Sequence, residues 1–217
     1  MHGCDSALDA SRVDGGMDTT DPATTNHPTD ERTTGEPPQG PPLQDLTIRT
    51  PTTADGGALW RLARDSGSLD LNSSYAYLLL ARHFAATCRV AVLDDAAGGA
   101  GRGTDGGAGV EVVGFLSAYR LPDAPSTLFV WQVAVDERVR GRRVAARLLD
   151  AAVDGSPGVT RVETTVTTDN AASRRLFARW AERRGATLSE TTGFEAADFP
   201  DGHEAEPLLV IDGIRGR

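Results

Sequence analysis

Apolar residues change their spacing several times along the chain, and each change marks an element. A short run at 46–49 predicts a strand. Pro51 and Thr53 then announce a helix that brings Leu59, Leu62 and Ala63 to one side. After a polar stretch at 67–73, a second helix begins near Ser74, with Tyr77, Leu80, Ala81 and Phe84 at helical spacing. Runs at 89–93, 110–121 and 127–135 predict three strands. The last two are linked by Pro122-Asp123-Ala124-Pro125, and links this short imply an antiparallel meander. A helix with Val144, Leu148, Ala151 and Ala152 aligned follows, then a strand at 161–166. A further helix, from Asn170 to about Arg184, turns Leu176, Phe177, Trp180 and Ala181 inward. Strands near Leu188 and at 208–211 complete the order β-α-α-β-β-β-α-β-α-β-β, which predicts an α/β (α+β) fold.

Two segments carry no such pattern. Residues 1–45 are rich in Thr, Pro, Gly and Asp with almost no large apolar side chain, which predicts a disordered acidic tail ahead of a single domain at 46–217. Residues 96–109 form a glycine tract between two strand-like runs, expected to be a floppy hairpin loop inserted into that domain. Its GxG spacings do not follow a strand and open a helix, as a dinucleotide site requires.

Composition narrows the chemistry. The 217 residues carry a formal charge of -9, but nine of the 31 acids lie in 1–45 against only Arg12 and Arg32, so the remainder is close to neutral. No basic face recommends a nucleic-acid partner. No apolar run approaches the roughly 18 residues of a membrane helix, and Met1-His2-Gly3-Cys4-Asp5 does not open a leader, so a cytoplasmic protein without a membrane partner is expected. All 22 basic residues are arginine, which excludes a P-loop lysine, a Schiff-base lysine and a lysine base. Cys4 and Cys88 are the only thiols, too few for a disulfide framework or a thiolate cluster. Cys88, at the head of an apolar run without a cationic pattern around it, is expected to be buried rather than reactive. No two histidines have metal-ligand spacing on one face, and no metal is expected.

The run 128–135 is apolar on both faces and predicts a central strand. It passes through Asp136-Glu137-Arg138-Val139-Arg140-Gly141-Arg142-Arg143-Val144-Ala145 directly into a helix. A helix start offers unpaired N–H groups and the positive end of the dipole; with arginines around it, it suits either a bound phosphate or a solvated charged turn.

The turn and the element order together resemble the GCN5-related N-acetyltransferases, whose pattern Arg/Gln-x-x-Gly-x-Gly/Ala matches Arg140 to Ala145. The resemblance implies a central mixed sheet of about six or seven strands flanked by four helices, with acetyl-CoA as co-substrate. Main-chain N–H groups of Arg140, Gly141, Arg142, Arg143, Val144 and Ala145 would cradle the pyrophosphate. The strand edge at Val133 and Val135 would pair with the pantetheine arm, and the main chain near Val133 and Ala134 would polarise the acetyl carbonyl. Arg143 replaces the first motif glycine, so its side chain must point away from the phosphates. Asn170 opens a second stretch that looks like a cofactor-contacting region, and Phe177 stands where many members carry a tyrosine acid.

Five further stretches resemble one branch, the L-2,4-diaminobutyrate acetyltransferases of ectoine biosynthesis: 69–80, 82–88, 128–135, 163–167 and 202–206. This likeness spans about 46–212. It implies direct transfer of acetyl to the terminal amine of a small diamino acid, in a ternary complex and from a homodimer, as the family suggests. Asp70 would anchor an ammonium, though an Asp before a helix also serves as a cap. Tyr75 would bond the substrate, whereas Tyr77 aligns with the core. Trp131 would present its ring face to the cation or pack in the core. Glu163 would accept the amine proton or simply face solvent. His203 and Glu204, in a late loop, would relay protons. Two alternatives stay open: an acetyltransferase for another small amine or a peptide N-terminus, and a non-catalytic acyl-CoA sensor.

Overall fold

The computed structural model of the protein describes residues 46–94 and 110–215; the expected tail and glycine loop lie outside them. Its elements keep the order expected from the sequence: β1 (Leu46–Arg49), α1 (Gly56–Ser66), α2 (Ser74–His83), β2 (Arg89–Asp94), β3 (Val110–Leu121), β4 (Ala124–Val135), α3 (Val144–Asp154), β5 (Arg161–Thr165), α4 (Ala171–Arg184), β6 (Thr187–Phe194) and β7 (Glu206–Asp212). The strands form one mixed sheet in the order β1-β2-β3-β4-β5-β7-β6. Every neighbouring pair is antiparallel except β4 and β5, which run parallel.

The two faces bury two cores. On one face Leu148, Leu149 and Ala152 of α3 and Phe177, Trp180 and Ala181 of α4 pack on Leu116, Leu128, Val162 and Ile211. On the other, Leu59 and Ala63 of α1 and Tyr77 and Leu80 of α2 pack on Val90, Phe115 and Ala134. Polar contacts lock α3 to α4: Trp180 Nε1 donates to Asp150 at 2.9 Å, and Arg184 donates to both Asp150 and Asp154 at 2.9 Å.

The central strand changes faces along its length. Leu128 and Val130 point into the α3/α4 core, yet Ala134, at the same parity, belongs to the α1/α2 core, while Val133 and Val135 pack on the α3/α4 side. The register against β3 explains this. Ser117 faces Gln132 and Ala118 faces Val130, so Trp131 is one extra residue in β4. A bulge inverts the alternation beyond it and bends the strand. Pairing of β4 with β5 ends at Phe129 and Glu163, and the two strands part from there. The ladder that a central strand would normally complete is therefore left open on the β5 side from Trp131 to Val135.

Two expectations need correction. β4 starts at Ala124 rather than 127, because Leu121 pairs with Ala124 and leaves only Pro122 and Asp123 as the turn. Phe84 is not an inward residue of α2: the helix ends at His83, Phe84 caps it, and its ring is 44% exposed.

Candidate active site

The open edge of β4 can be oriented residue by residue. Asp136 N–H donates to Val113 of β3 at 2.9 Å, and strand groups alternate, so the N–H and C=O of Ala134 turn toward β3 while those of Val133 and Val135 face the gap. Arg140 Nε donates to the Val135 carbonyl across that gap at 3.2 Å. Of the main-chain positions read from the sequence for the acetyl carbonyl, Val133 therefore presents its N–H and Ala134 does not.

Beyond Val135 the chain turns into α3. Gly141 has φ 75°, and Arg143, just before the helix, has φ 63°; it is the one non-glycine residue among those described with positive φ. The Arg143 side chain does not cap the helix start, so its first N–H groups keep their capacity for an anion. They border a cavity of about 590 Å³ between α3 and α4. Arg140, Arg143, Arg175, Arg179 and Arg183 line it, with Val135, Gly141, Val144 and Ala145. Leu176 and Trp180 supply the apolar wall. The chemistry of this set fits a polyanion with an apolar arm: donors and guanidinium groups at one end, an unpaired strand edge at the other.

The same edge leads to a second cavity, of about 810 Å³. Val133 borders it where the strands part, as do Thr165, Asn170 and the buried Phe177. Its far side is acidic. Asp70 comes from the link between α1 and α2, Glu163 from β5 and Glu206 from β7; among the described residues no arginine lines it. Tyr119, Phe129, Trp131, Phe194 and Phe199 add aromatic wall. Glu163 is mostly buried and lies 3.6 Å from Arg161 Nη1. Thr165 Oγ1 donates to Glu206 Oε2 across the β5–β7 ladder, fixing that carboxylate. Gly193 lets β6 approach: a Cβ there would stand 2.1 Å from the Glu206 carbonyl oxygen.

His203 meets these acids from the β6–β7 loop. Its Nδ1 lies 2.7 Å from the Glu204 main-chain carbonyl. A carbonyl only accepts, so Nδ1 carries a proton in either charge state and Nε2 is the atom that titrates. Nε2 stands 3.3 Å from Asp70 Oδ2 and 4.0 Å from Glu206 Oε1, and the three side chains bring one donor atom each within 4.8 Å of one another. The Glu204 carbonyl, followed by the charges of Asp70, Glu206 and Asp201, outweighs partial desolvation and holds His203 above the ordinary imidazole value. Phe199 stacks on the ring at a centroid distance of 4.6 Å and is itself met edge-on by Phe194.

The structure thus gathers Asp70, Trp131, Glu163 and His203 at one cavity, and Val135, Arg140, Gly141, Arg143, Val144 and Ala145 at the other. Asn170 borders the first, where its side chain caps α4 by accepting from Ser173 N–H at 3.0 Å. Trp131 is no core residue; it is 43% exposed. Arg142 borders neither cavity, and Tyr75, 65% exposed, stands outside both. The side chain of Glu204 is exposed and lines neither; the carboxylate facing the imidazole is that of Glu206, which the sequence reading missed. β7 offers no alternation that would have flagged it, since Leu209, Val210 and Ile211 are buried in succession. Cys88 is buried, and burial pushes its thiol up to about 11, which removes it as a nucleophile.

Residues 70–181 match the Acetyltransferase (GNAT) family. An L-2,4-diaminobutyric acid acetyltransferase of Streptomyces coelicolor is 53% identical over 171 residues, covering 77% of this chain and 92% of that protein. One from Streptomyces avermitilis is 49% identical over 172 residues, covering 77% and 88%. Among solved structures, the diaminobutyrate acetyltransferase EctA from Paenibacillus lautus, in complex with its substrate L-2,4-diaminobutyric acid and coenzyme A, superimposes with a TM-score of 0.67. It is 41% identical, with coverage of 79% of this chain and 97% of that one.

Proposed function

Because the chain belongs to the GNAT acetyltransferases and, within them, to the L-2,4-diaminobutyric acid acetyltransferases, we propose that it acetylates the γ-amine of L-2,4-diaminobutyrate to give N4-acetyl-L-2,4-diaminobutyrate, a step of ectoine biosynthesis. The observation that carries this reading is the pairing of a basic and an acidic cavity along one open strand edge. Acetyl-CoA, the co-substrate, supplies the acetyl group. The α3 N–H groups, with Arg140, hold the pyrophosphate, and the groups of Val133 and the N–H of Val135 pair with the pantetheine arm.

Both amines of the diamino acid are ammonium groups at neutral pH, and an ammonium cannot attack a thioester. Asp70 and Glu206 hold its cationic end, and the Trp131 face closes over it. Glu163 and His203 Nε2 accept the proton that must leave the amine, while the Val133 N–H donates to the acetyl carbonyl oxygen as negative charge develops there. Transfer is direct, since the buried Cys88 has no role as an acetyl carrier. Phe177 has no proton to give the departing thiolate, so water along the open cavity serves. We take the enzyme to act as a cytoplasmic homodimer without nucleic acid or membrane partners. Among the described residues no helix is long and apolar enough to cross a membrane.

Turnover tests the reading: purified full-length protein with acetyl-CoA and a panel of diamines, followed by thiol release. Preference for L-2,4-diaminobutyrate is expected. Preference for lysine, putrescine or a peptide would remove the assignment of substrate, and coenzyme binding without turnover would favour a sensor.

A further inference from the structure

In the free protein the acidic end of the larger cavity already holds an imidazole of its own. His203 Nε2 points at Asp70 and Glu206, the two carboxylates assigned above to the substrate. Nδ1 is committed to the Glu204 carbonyl, so the only proton His203 can lose is the one between those acids. Among the described residues, the other charged or titratable groups are Asp201 and Glu204 from its own loop and, lining the same cavity, Glu163 from β5, paired with Arg161, and Tyr119 from β3. Among the described residues lining the cavity, His203 is the one that can carry a positive charge.

Resting on the substrate reading above, we propose that the imidazolium of His203 is an internal stand-in for the substrate ammonium, and that binding of the diamino acid exchanges one cation for the other. The charge of the cluster is conserved. Two carboxylates face one imidazolium before binding and one ammonium after it, and the Nε2–H proton leaves to solvent. The exchange has two consequences. Substrate affinity falls with pH below the His203 pKa, because the incoming ammonium must displace a proton that is bound more tightly there. The imidazole that remains is neutral, with a free Nε2 lone pair beside the cationic end of the substrate, so the act of binding generates the base.

Calorimetry of L-2,4-diaminobutyrate binding to full-length protein saturated with CoA, which cannot turn over, tests this directly. At about pH 6, below the ordinary imidazole value of about 6.5, titrations in two buffers of different ionisation enthalpy are expected to show release of about one proton per substrate bound. At about pH 9, well above that value, release through His203 should vanish. His203→Gln is expected to bind with heat independent of buffer at about pH 6, its fold checked by circular dichroism. The His203 ring signal, one of four histidines in the chain, should shift from the imidazolium to the Nδ1–H neutral form on addition of substrate. Binding with identical heats in both buffers overturns the exchange and leaves the substrate assignment standing. Proton release that persists in His203→Gln overturns the role of this residue. No binding in any buffer overturns both.

Discussion

Gln132 Nε2 donates to the main-chain carbonyl of Asp70 at 2.8 Å, while its Oε1 accepts from the buried Tyr77 hydroxyl at 3.2 Å. The amide lies just past the bulge in β4, inside the sheet, and ties the link that carries Asp70 to the strand that carries the open edge. It is the mechanical connection between the two halves of the site.

Replacing Gln132 with Met keeps the volume but leaves the Tyr77 hydroxyl buried without a partner. The expected cost is roughly 1–3 kcal/mol of stability, read from denaturant unfolding. Because the link is freed, KM for the diamino acid should rise several-fold while KM for acetyl-CoA stays near wild type. Equal effects on both constants would contradict the tie.

Arg143 sits in the left-handed region that its motif position normally gives to glycine. Holding a residue with a Cβ there costs about 1–2 kcal/mol, so Arg143→Gly should stabilise the protein by about 1 kcal/mol and Arg143→Val should destabilise it. Arg143 also lines the basic cavity. Its loss should therefore weaken acetyl-CoA binding a few-fold and reduce the salt dependence of KM, separating the conformational effect from the charge effect.

Much of this architecture is legible in the pattern of the chain. β1 and β3 have the bounds that alternation gives, and α2 starts at Ser74 as its spacing requires. The turn from β4 into α3 is legible too, because one continuous segment carries it. What escapes is non-local. Trp131 sits in an apolar run that reads as a two-sided core strand, and only the register against β3 reveals the bulge that turns it into the cavity. Glu204 adjoins His203 in sequence and looks like its partner; the β5–β7 ladder instead delivers Glu206, held by Thr165. Phe84 keeps helical spacing one residue past the end of the helix.

Glu206→Gln and Glu204→Gln distinguish these two carboxylates. Removing the charge at Glu206 forfeits a charge-assisted contact of about 1.5–3 kcal/mol, so kcat/KM for the diamino acid should fall between about tenfold and 150-fold. Glu204→Gln keeps the main-chain carbonyl that orients His203 and should change kcat/KM by less than about threefold.

The pH profile follows from the direction of the His203 shift. Its pKa lies above the ordinary value in the free protein, and the protonated ring both occupies the carboxylates and lacks a basic nitrogen. kcat/KM should thus fall as pH drops through that raised pKa, about tenfold per unit below it, and reach a plateau above it. His203→Gln should remove this limb and lower the plateau by about 100-fold.

The most direct measurement is a crystal structure with CoA and L-2,4-diaminobutyrate bound together. The account predicts the diphosphate against the N–H groups of 143–145 with Arg140 beside it, pantetheine along Val133 and Val135, and the γ-amine between Asp70 and Glu206, beside His203 Nε2 and facing the thiol. Coenzyme seated away from the β4 edge, or a diamino acid outside the acidic cavity, would contradict it.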